Sequence, residues 1–189
     1  MSKVGVFFAE GFEEIEGLTV VDILRRAQVD VQMISINDSK KVMGAHGIAV
    51  ETDACIADVN AEELDMLVLP GGIPGTKYLG ACEMLTELLK KADKEQKGIA
   101  AICAAPSVLG DLGLLAGKKA VCYPGFEESL AGAEVLMEPV VTDGNITTSR
   151  GMGTAIAFAL ELTARLVGRE QADQIGKSII FGMMPGSKA

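Results

Sequence analysis

The sequence has little of what most enzyme active sites use. It contains no tryptophan, and His46 is its only histidine. A histidine-rich zinc site and a Ser-His or Cys-His catalytic pair are therefore hard to build. The cysteines, at positions 55, 82, 103 and 122, form no C-x-x-C pair, which argues against a zinc knuckle and a thioredoxin-type site. We expect free thiols in a reducing compartment.

Long apolar runs and basic surfaces are also missing. No run approaches the ~18 residues needed to cross a bilayer, and the N-terminus enters a strand pattern without a signal-peptide pattern. The net charge is −9, and the lysines at 90, 91, 94 and 97 alternate with acidic residues on one predicted helix. A nucleic-acid-binding face would need clustered basic residues. We therefore expect a cytoplasmic protein that binds neither membrane nor nucleic acid.

The order of predicted elements indicates the fold class. The chain of 189 residues is long enough for one domain with a sizeable core, and we predict a single domain over 1–189. Strand patterns at 3–9, 29–36, 66–69, 99–102 and 119–122 alternate with helical patterns at 15–27, 83–93 and 153–167. This alternation predicts an α/β, flavodoxin-like three-layer sandwich with helices on both faces of a mainly parallel sheet in the order 2-1-3-4-5.

Smaller features complete this prediction. Short hairpins are expected at 41–51 and at 140–148, where Asp143-Gly144 suits a type I′ turn. A short helix and an apolar tail are expected over 169–181. In the 153–167 helix, we predict that Ile156, Leu160, Thr163 and Val167 face the core.

Cys103 follows the apolar strand pattern at 99–102 directly, and Pro106 then suits the first turn of a helix. This arrangement places a thiol on a sharp turn at the carboxyl end of a sheet strand, beside a helix N-terminus. Free N–H groups and the helix dipole stabilise an anion there, so we expect the pKa of the thiol to be lowered. The alternative is a small buried packing cysteine, which is the default for Cys55, Cys82 and Cys122.

The predicted topology brings two other loops to Cys103. The strand at 3–9 leads into 11–16, and the strand at 66–69 leads into Gly71-Gly72, so all three loops should meet at one crevice. Glu16 lies one turn into its helix, where it could share a proton with the thiol and act as an acid/base group. The glycine turn could offer backbone N–H groups to an oxyanion or a carboxylate, or be a plain loop.

The other candidate residues have simpler alternatives. Glu13 and Glu14 are best explained by the dipole of the helix that they begin. His46 is expected to be an exposed loop residue, and Arg150 either a surface charge or part of a pocket wall. We predict that Ile73, Tyr123, Arg150 and Met152 line the pocket beside Cys103.

Four segments together resemble the ThiJ/PfpI superfamily, in its parkinsonism-associated deglycase (DJ-one) branch. They are G-F-E-E-I-E at 11–16, V-L-P-G-G at 68–72, A-A-I-C-A-A-P at 100–106 and T-S-R-G-M-G-T at 148–154. The resemblance extends over nearly the whole chain and implies a flavodoxin-like homodimer. It implies a reactive Cys103, a protonated carboxyl partner at Glu16, and backbone donors at Gly71, Gly72 and Ala104.

This sequence departs from the family pattern at several positions. Ala104 replaces the histidine of peptidase-like members, which disfavours a peptidase. Tyr123 stands where the deglycase branch often has histidine, and Met152 where proline is common. His46 stands where some relatives have arginine near the dimer interface, and the Arg150 segment is one that can reach across a dimer.

The resemblance implies two leading functions. The first is conversion of small 2-oxoaldehydes such as methylglyoxal to hydroxy acids, as in a glutathione-independent glyoxalase or deglycase. There, Cys103 forms a hemithioacetal, Glu16 moves protons, and neither metal nor nucleotide cofactor is needed. The second is a redox sensor or chaperone in which an oxidant modifies Cys103 without turnover. A vestigial cysteine in a ligand-binding relative, a thiamine-biosynthesis role and peptidase activity are weaker alternatives.

Overall fold

The computed structural model describes residues 2–182, so Met1 and residues 183–189 of the predicted domain lie outside the described residues. A seven-stranded sheet forms the centre of the fold. Its strands are β1 Lys3–Phe8, β2 Asp30–Ser35, β5 Ala54–Cys55, β6 Met66–Leu69, β7 Gly98–Ile102, β10 Val140–Asp143 and β11 Ile146–Ser149. They lie in the order β10-β11-β7-β6-β1-β2-β5, and all neighbouring pairs are parallel except β10 and β11.

The helices lie between these strands along the chain. They are α1 Glu14–Arg26, α2 Gly75–Ala81, α3 Glu83–Lys94, α4 Pro106–Asp111, α5 Ala155–Val167 and α6 Arg169–Ser178. Two further two-stranded sheets pair β3 Lys41–Met43 with β4 Ala49–Glu51, and β8 Lys119–Ala120 with β9 Glu134–Val135.

The sheet has a separate apolar core on each face. Residues of a strand point alternately to opposite faces, so Ala100 and Ile102 of β7 pack with α1, α5 and α6. Ile99 and Ala101 pack on the other face, with α2, α3 and α4. All four side chains are fully buried. The predicted flavodoxin-like sandwich, with a mainly parallel sheet between two helical layers, is confirmed.

The predicted fifth strand of the sheet was wrong. The first four predicted strands lie in the expected order, but the strand next to β7 is β11 rather than residues 119–122. The backbone N–H groups of Lys119 and Val121 donate instead to side-chain oxygens of Asp143 and Thr148, both at 2.8–2.9 Å. These side chains hold the segment beside the β10–β11 hairpin, and β8 pairs only with β9.

The hairpin at 140–148 is confirmed, with a different turn from the predicted one. Asp143 pairs with Ile146, so Gly144 and Asn145 are the central residues of the turn. Gly144 has φ +60°, whereas Asn145 has no positive φ, which fits a type II′ rather than a type I′ turn.

Two helical details also differ from the prediction. In α5, Leu160 and Thr163 face the core as expected, but Ile156 and Val167 are 39% and 42% exposed. Phe158 and Leu162 are fully buried in their place, so the apolar stripe is rotated around the helix. The short helix α2 was not predicted. No helix within residues 2–182 has the length and apolar character that a membrane span requires.

The rotated stripe of α5 makes a stability prediction. Phe158→Ala should lower the free energy of unfolding by about 3–5 kcal/mol because it leaves a cavity between α5 and the sheet. Ile156→Ala on the exposed side of the same helix should cost less than about 1 kcal/mol. Denaturant unfolding of both variants measures the difference, and equal costs would contradict this orientation of α5.

Candidate active site

Cys103 occupies a constrained turn directly after β7. Its φ is +66°, a left-handed conformation that is uncommon for any residue with a side chain. The backbone is fixed on both sides: Cys103 N–H donates to the Ser149 carbonyl at 3.0 Å, and its own carbonyl accepts from Tyr123 N–H at 2.8 Å. Such backbone strain is typical of functional sites. The turn holds the half-buried thiol at the carboxyl edge of the sheet, as predicted.

Glu16 lies in the first turn of α1 and is 1% exposed. Its Oε2 accepts a hydrogen bond from Gly71 N–H at 2.9 Å. Its other oxygen, Oε1, is buried and has no hydrogen-bond donor among residues 2–182. The carboxyl group interacts with the Cys103 thiol. Sequence, fold and burial therefore bring together the acid and the thiol that were proposed to act as a pair.

Gly71 makes this contact possible. A Cβ at this position would lie 2.6 Å from Cys103 Cβ and 2.7 Å from Glu16 Oε2, so any side chain would separate the two groups. Gly71 acts as a backbone donor, as predicted, and its acceptor is the carboxyl group of Glu16. Its role as a donor to an oxyanion stays a prediction.

Two predicted backbone donors do face the sulfur. The N–H groups of Gly72 and Ala104 interact with the Cys103 thiol and favour its ionised form. Gly72 has φ +96°, and a Cβ there would come within 2.3 Å of Glu13 N, so this close approach needs glycine. Because α4 has only six residues, these two N–H groups supply a more local stabilisation than the expected helix dipole.

The acid and the thiol share one proton. Burial is the main cause that raises the pKa of Glu16 to about 7, with a smaller contribution from the charge of Glu13. The pKa of Cys103 is raised to about 12 by burial first, and then by the charge and hydrogen bonding of Glu16. Burial beside a carboxylate opposes the predicted lowering of the thiol pKa, whereas the N–H groups of Gly72 and Ala104 favour it as expected. Near neutral pH, the pair loses one proton and keeps the other.

The pair lies at the bottom of an open pocket of about 760 Å³. The four predicted lining residues, Ile73, Tyr123, Arg150 and Met152, all contribute to its wall. Tyr123 packs against Gly151, where a Cβ would come within 3.2 Å of its ring. Phe126, Met137 and Pro139 add apolar surface that the sequence prediction missed.

A second cluster, formed by Glu13, Glu14 and His46, was also missed. Glu14 is 2% exposed; its Oε1 accepts from His46 N–H at 2.7 Å, and its Oε2 lies 2.8 Å from His46 Nδ1. Hydrogen bonding to Glu14 is the main cause that raises the pKa of His46. Glu14 thus fastens the β3–β4 hairpin to α1, which is more than the predicted dipole role. Glu13 and His46 also line the pocket.

This cluster is the one group of possible metal ligands among residues 2–182, with ligand atoms within 4.8 Å of one another. The direct contact between His46 and Glu14 satisfies both groups without an ion. The remaining cysteines suit packing: Cys55 and Cys122 are buried, and burial is the main cause that raises the pKa of Cys122 to about 11.

A strained cysteine at the carboxyl edge of a flavodoxin-like sheet, with a buried glutamate against its sulfur, defines a class of cysteine-dependent α/β proteins. Residues 2–165 match the DJ-1/PfpI family, and the chain belongs to that family. The predicted resemblance is therefore confirmed.

Individual relatives make this membership more specific. The chain is 38% identical over 188 residues to Protein DJ-1 homolog B of Arabidopsis thaliana, with 98% of this chain and 43% of that protein covered. It thus spans about half the length of the Arabidopsis relatives that it matches. It is 33% identical over 172 residues to the Caenorhabditis elegans glutathione-independent glyoxalase DJR-1.2, with 90% and 91% covered. The solved structure of Toxoplasma gondii DJ-1, oxidized, superposes with a TM-score of 0.93 at 38% identity, with 97% of this chain and 100% of that chain covered.

The raised pKa of Glu16 predicts a pH-dependent change in stability. Wild type should lose stability as pH rises from 4.5 to about 7, because the unfolded chain ionises while folded Glu16 keeps its proton. Glu16→Gln cannot ionise, so its free energy of unfolding should exceed that of wild type by about 3 kcal/mol near pH 8 and match it near pH 4.

Denaturant unfolding at a series of pH values measures this difference. Exposed Glu138→Gln removes the same charge without burial and is the matched control. A constant difference between Glu16→Gln and wild type over the whole pH range would contradict the raised pKa.

Proposed function

We propose that this protein converts small 2-oxoaldehydes, such as methylglyoxal, to the corresponding 2-hydroxy acids without an external cofactor. The observation that carries the proposal is the buried carboxyl group of Glu16 held against the Cys103 thiol at the base of an open pocket. The C. elegans relative named as a glutathione-independent glyoxalase supports the same chemistry.

The first step uses the shared proton. Ionised Glu16 takes the thiol proton while Cys103 Sγ attacks the aldehyde carbon, so no standing thiolate is required. The carbonyl oxygen becomes an oxyanion, which we expect the N–H groups of Gly72 and Ala104 beside the sulfur to stabilise. Protonated Glu16 then returns its proton to this oxygen and gives a hemithioacetal.

The second step moves hydrogen between adjacent carbons. Glu16 removes the proton from the former aldehyde carbon, and the resulting enediol is protonated at the neighbouring carbon. The first carbon is thereby oxidised to a thioester and the second is reduced to an alcohol, so no external redox partner is needed. Water cleaves the thioester, releases lactate from methylglyoxal and restores the thiol.

Lactate formation tests the two named groups. Cys103→Ser should lower kcat/KM by at least about 10³-fold, and Glu16→Gln by about 10²–10⁴-fold. Wild-type kcat/KM should rise with pH through an apparent pKa near 7, as Glu16 becomes able to accept the thiol proton. Half-buried Cys82→Ser is the control and should keep full activity. An unchanged rate in either active-site variant would reject the mechanism.

A second candidate function is oxidation sensing at the same thiol. The Toxoplasma relative is described as oxidized. Within residues 2–182, Glu16 Oε1 is buried without a hydrogen-bond partner, and the carboxyl group to which it belongs interacts with the Cys103 thiol. A protonated Glu16 could donate a hydrogen bond to a sulfinate oxygen and hold Cys103 at that level of oxidation.

Mild peroxide followed by intact-mass and peptide analysis tests this candidate. We expect Cys103 to gain two oxygen atoms before Cys55, Cys82 or Cys122 gains any, because it combines access with an adjacent base. Oxidation of Cys82 ahead of Cys103 would remove the sensor role.

We also propose that the protein acts as a homodimer. Ile15, Met43 and Ile48 are 51%, 41% and 54% exposed, and they belong to α1 and the β3–β4 hairpin, which Glu14 joins. Exposed apolar side chains grouped in this way are typical of an interaction surface.

A further inference from the structure

Arg150 differs from the other arginines of the chain. Arg25, Arg26 and Arg169 form ion pairs with acidic side chains, and Arg165 donates to Thr147 Oγ1 and to the Gly144 carbonyl. Within residues 2–182, the Arg150 guanidinium has no ion-pair or hydrogen-bond partner. Arg150 is half-buried and lines the pocket that contains Cys103. Burying a guanidinium group without a partner costs free energy, and an anionic ligand that pairs with the group offsets that cost.

The sheet order fixes where this charge lies relative to the reacting groups. Arg150 follows β11, Cys103 follows β7, and Ser149 pairs with Ile102 at the ends of these strands. The helix α1, which carries Glu16, follows β1, on the other side of β7 in the sheet order. Neighbouring strands are about 4.8 Å apart. The Arg150 backbone therefore leaves the sheet one strand from Cys103, and a Cβ on the next residue, Gly151, would lie 4.0 Å from Glu16 Oε1. The cation, the thiol and the acid thus line the same part of the pocket.

The segment that carries Arg150 is held in place by hydrogen bonds. Thr154 Oγ1 lies 2.7 Å from Ser149 Oγ and accepts from Gly151 N–H at 3.1 Å. Arg150 N–H donates to the Pro139 carbonyl at 3.4 Å. The cation is thus presented from a fixed backbone.

The other charged groups of the pocket have partners of their own. Glu16 accepts from Gly71 N–H at 2.9 Å, and Glu13 Oε2 lies 3.6 Å from His46 Nδ1. Glu127 and Arg150 both lie close enough to influence Cys122, but Glu127 accepts from Gly125 N–H at 2.7 Å and forms no ion pair with Arg150.

We propose that Arg150 is a specificity-determining residue that selects aldehyde substrates carrying a carboxylate at the end remote from the reacting carbonyl. This inference rests on the proposed function for its substrate class. In the bound substrate, the aldehyde carbon lies at Cys103 Sγ, its one hydrogen faces Glu16, and the carboxylate points towards β11 and the Arg150 guanidinium.

A first test needs no turnover. Iodoacetate and iodoacetamide alkylate thiols with nearly the same shape, and they differ in one negative charge. Peptide mass spectrometry follows the rate of each reagent at Cys103. The rate with iodoacetate divided by the rate with iodoacetamide should fall by about fivefold or more in Arg150→Met, and by less in Arg150→Lys, which keeps the charge. Arg169→Met removes a surface arginine of the same charge and should leave the ratio unchanged. An equal ratio in wild type and Arg150→Met would overturn the proposal.

A second test uses turnover with a matched substrate pair. The probes are 4,5-dioxopentanoate, a 2-oxoaldehyde with a terminal carboxylate, and its neutral methyl ester. Hydration and internal redox transfer convert the first to 2-hydroxyglutarate. The ratio of kcat/KM for the acid over the ester should exceed one in wild type and fall about tenfold or more in Arg150→Met, mainly through KM.

The two tests separate the inference from the function on which it rests. If neither probe is turned over while the alkylation ratio still depends on Arg150, the enzymatic proposal fails and the anion-selecting role stands. If both probes are turned over with the same ratio in wild type and Arg150→Met, the enzymatic proposal stands and Arg150 does not set specificity.

Discussion

The contact between a buried carboxyl group and a thiol is the constraint on which the rest of this structure depends. Glu16 and Cys103 come from elements separated by β6 in the sheet, and they meet only because Gly71 has no side chain between them. Burial disfavours two negative charges at such short range. The pair therefore carries one charge near neutral pH, and the location of the remaining proton decides whether the sulfur is nucleophilic.

The surrounding fold serves to keep this contact fixed. Small and apolar residues bury β7 on both faces, and the backbone bonds of Cys103 to Ser149 and Tyr123 hold the strained turn. On the other side, Glu13 N–H donates to the Gly71 carbonyl at 2.9 Å, and Gly11 N–H to the Met43 carbonyl at 2.7 Å. These bonds join the loop after β1 to the glycine turn and to the β3–β4 hairpin. Backbone contacts thus position the acid and the thiol, and they are joined at the pocket wall by side-chain hydrogen bonds such as that of Glu14 to His46.

Local patterns in the sequence were sufficient for the fold class, for the first four strands of the sheet and for the main site residues. Buried strands and the thiol on a strand-to-helix turn depend on short-range chemistry, and the carboxyl ends of parallel strands must meet at one edge. That geometry brought Cys103, Glu16 and Gly72 together without any knowledge of distances.

What the sequence could not supply depends on partners far away in the chain. Residues 119–122 have the pattern of a strand, but side chains of Asp143 and Thr148 take up their backbone donors. The sequence did not identify Glu16 as the acceptor of Gly71 N–H, and it did not predict that Glu14 would be buried against His46. The direction of the thiol pKa depends on the balance between two N–H donors and burial beside an acid, and that balance is set only by the packed site.

The raised pKa of the thiol determines when the sulfur can act as a nucleophile. A permanently ionised sulfur would react with any oxidant or electrophile that reached the pocket. A neutral thiol beside a base with pKa about 7 becomes nucleophilic only as its proton moves to Glu16. The same carboxyl group is then protonated at the moment when the new oxyanion needs a proton. In the proposed reaction, one acid can therefore activate the nucleophile and complete the addition, so the reaction needs no histidine beside the sulfur.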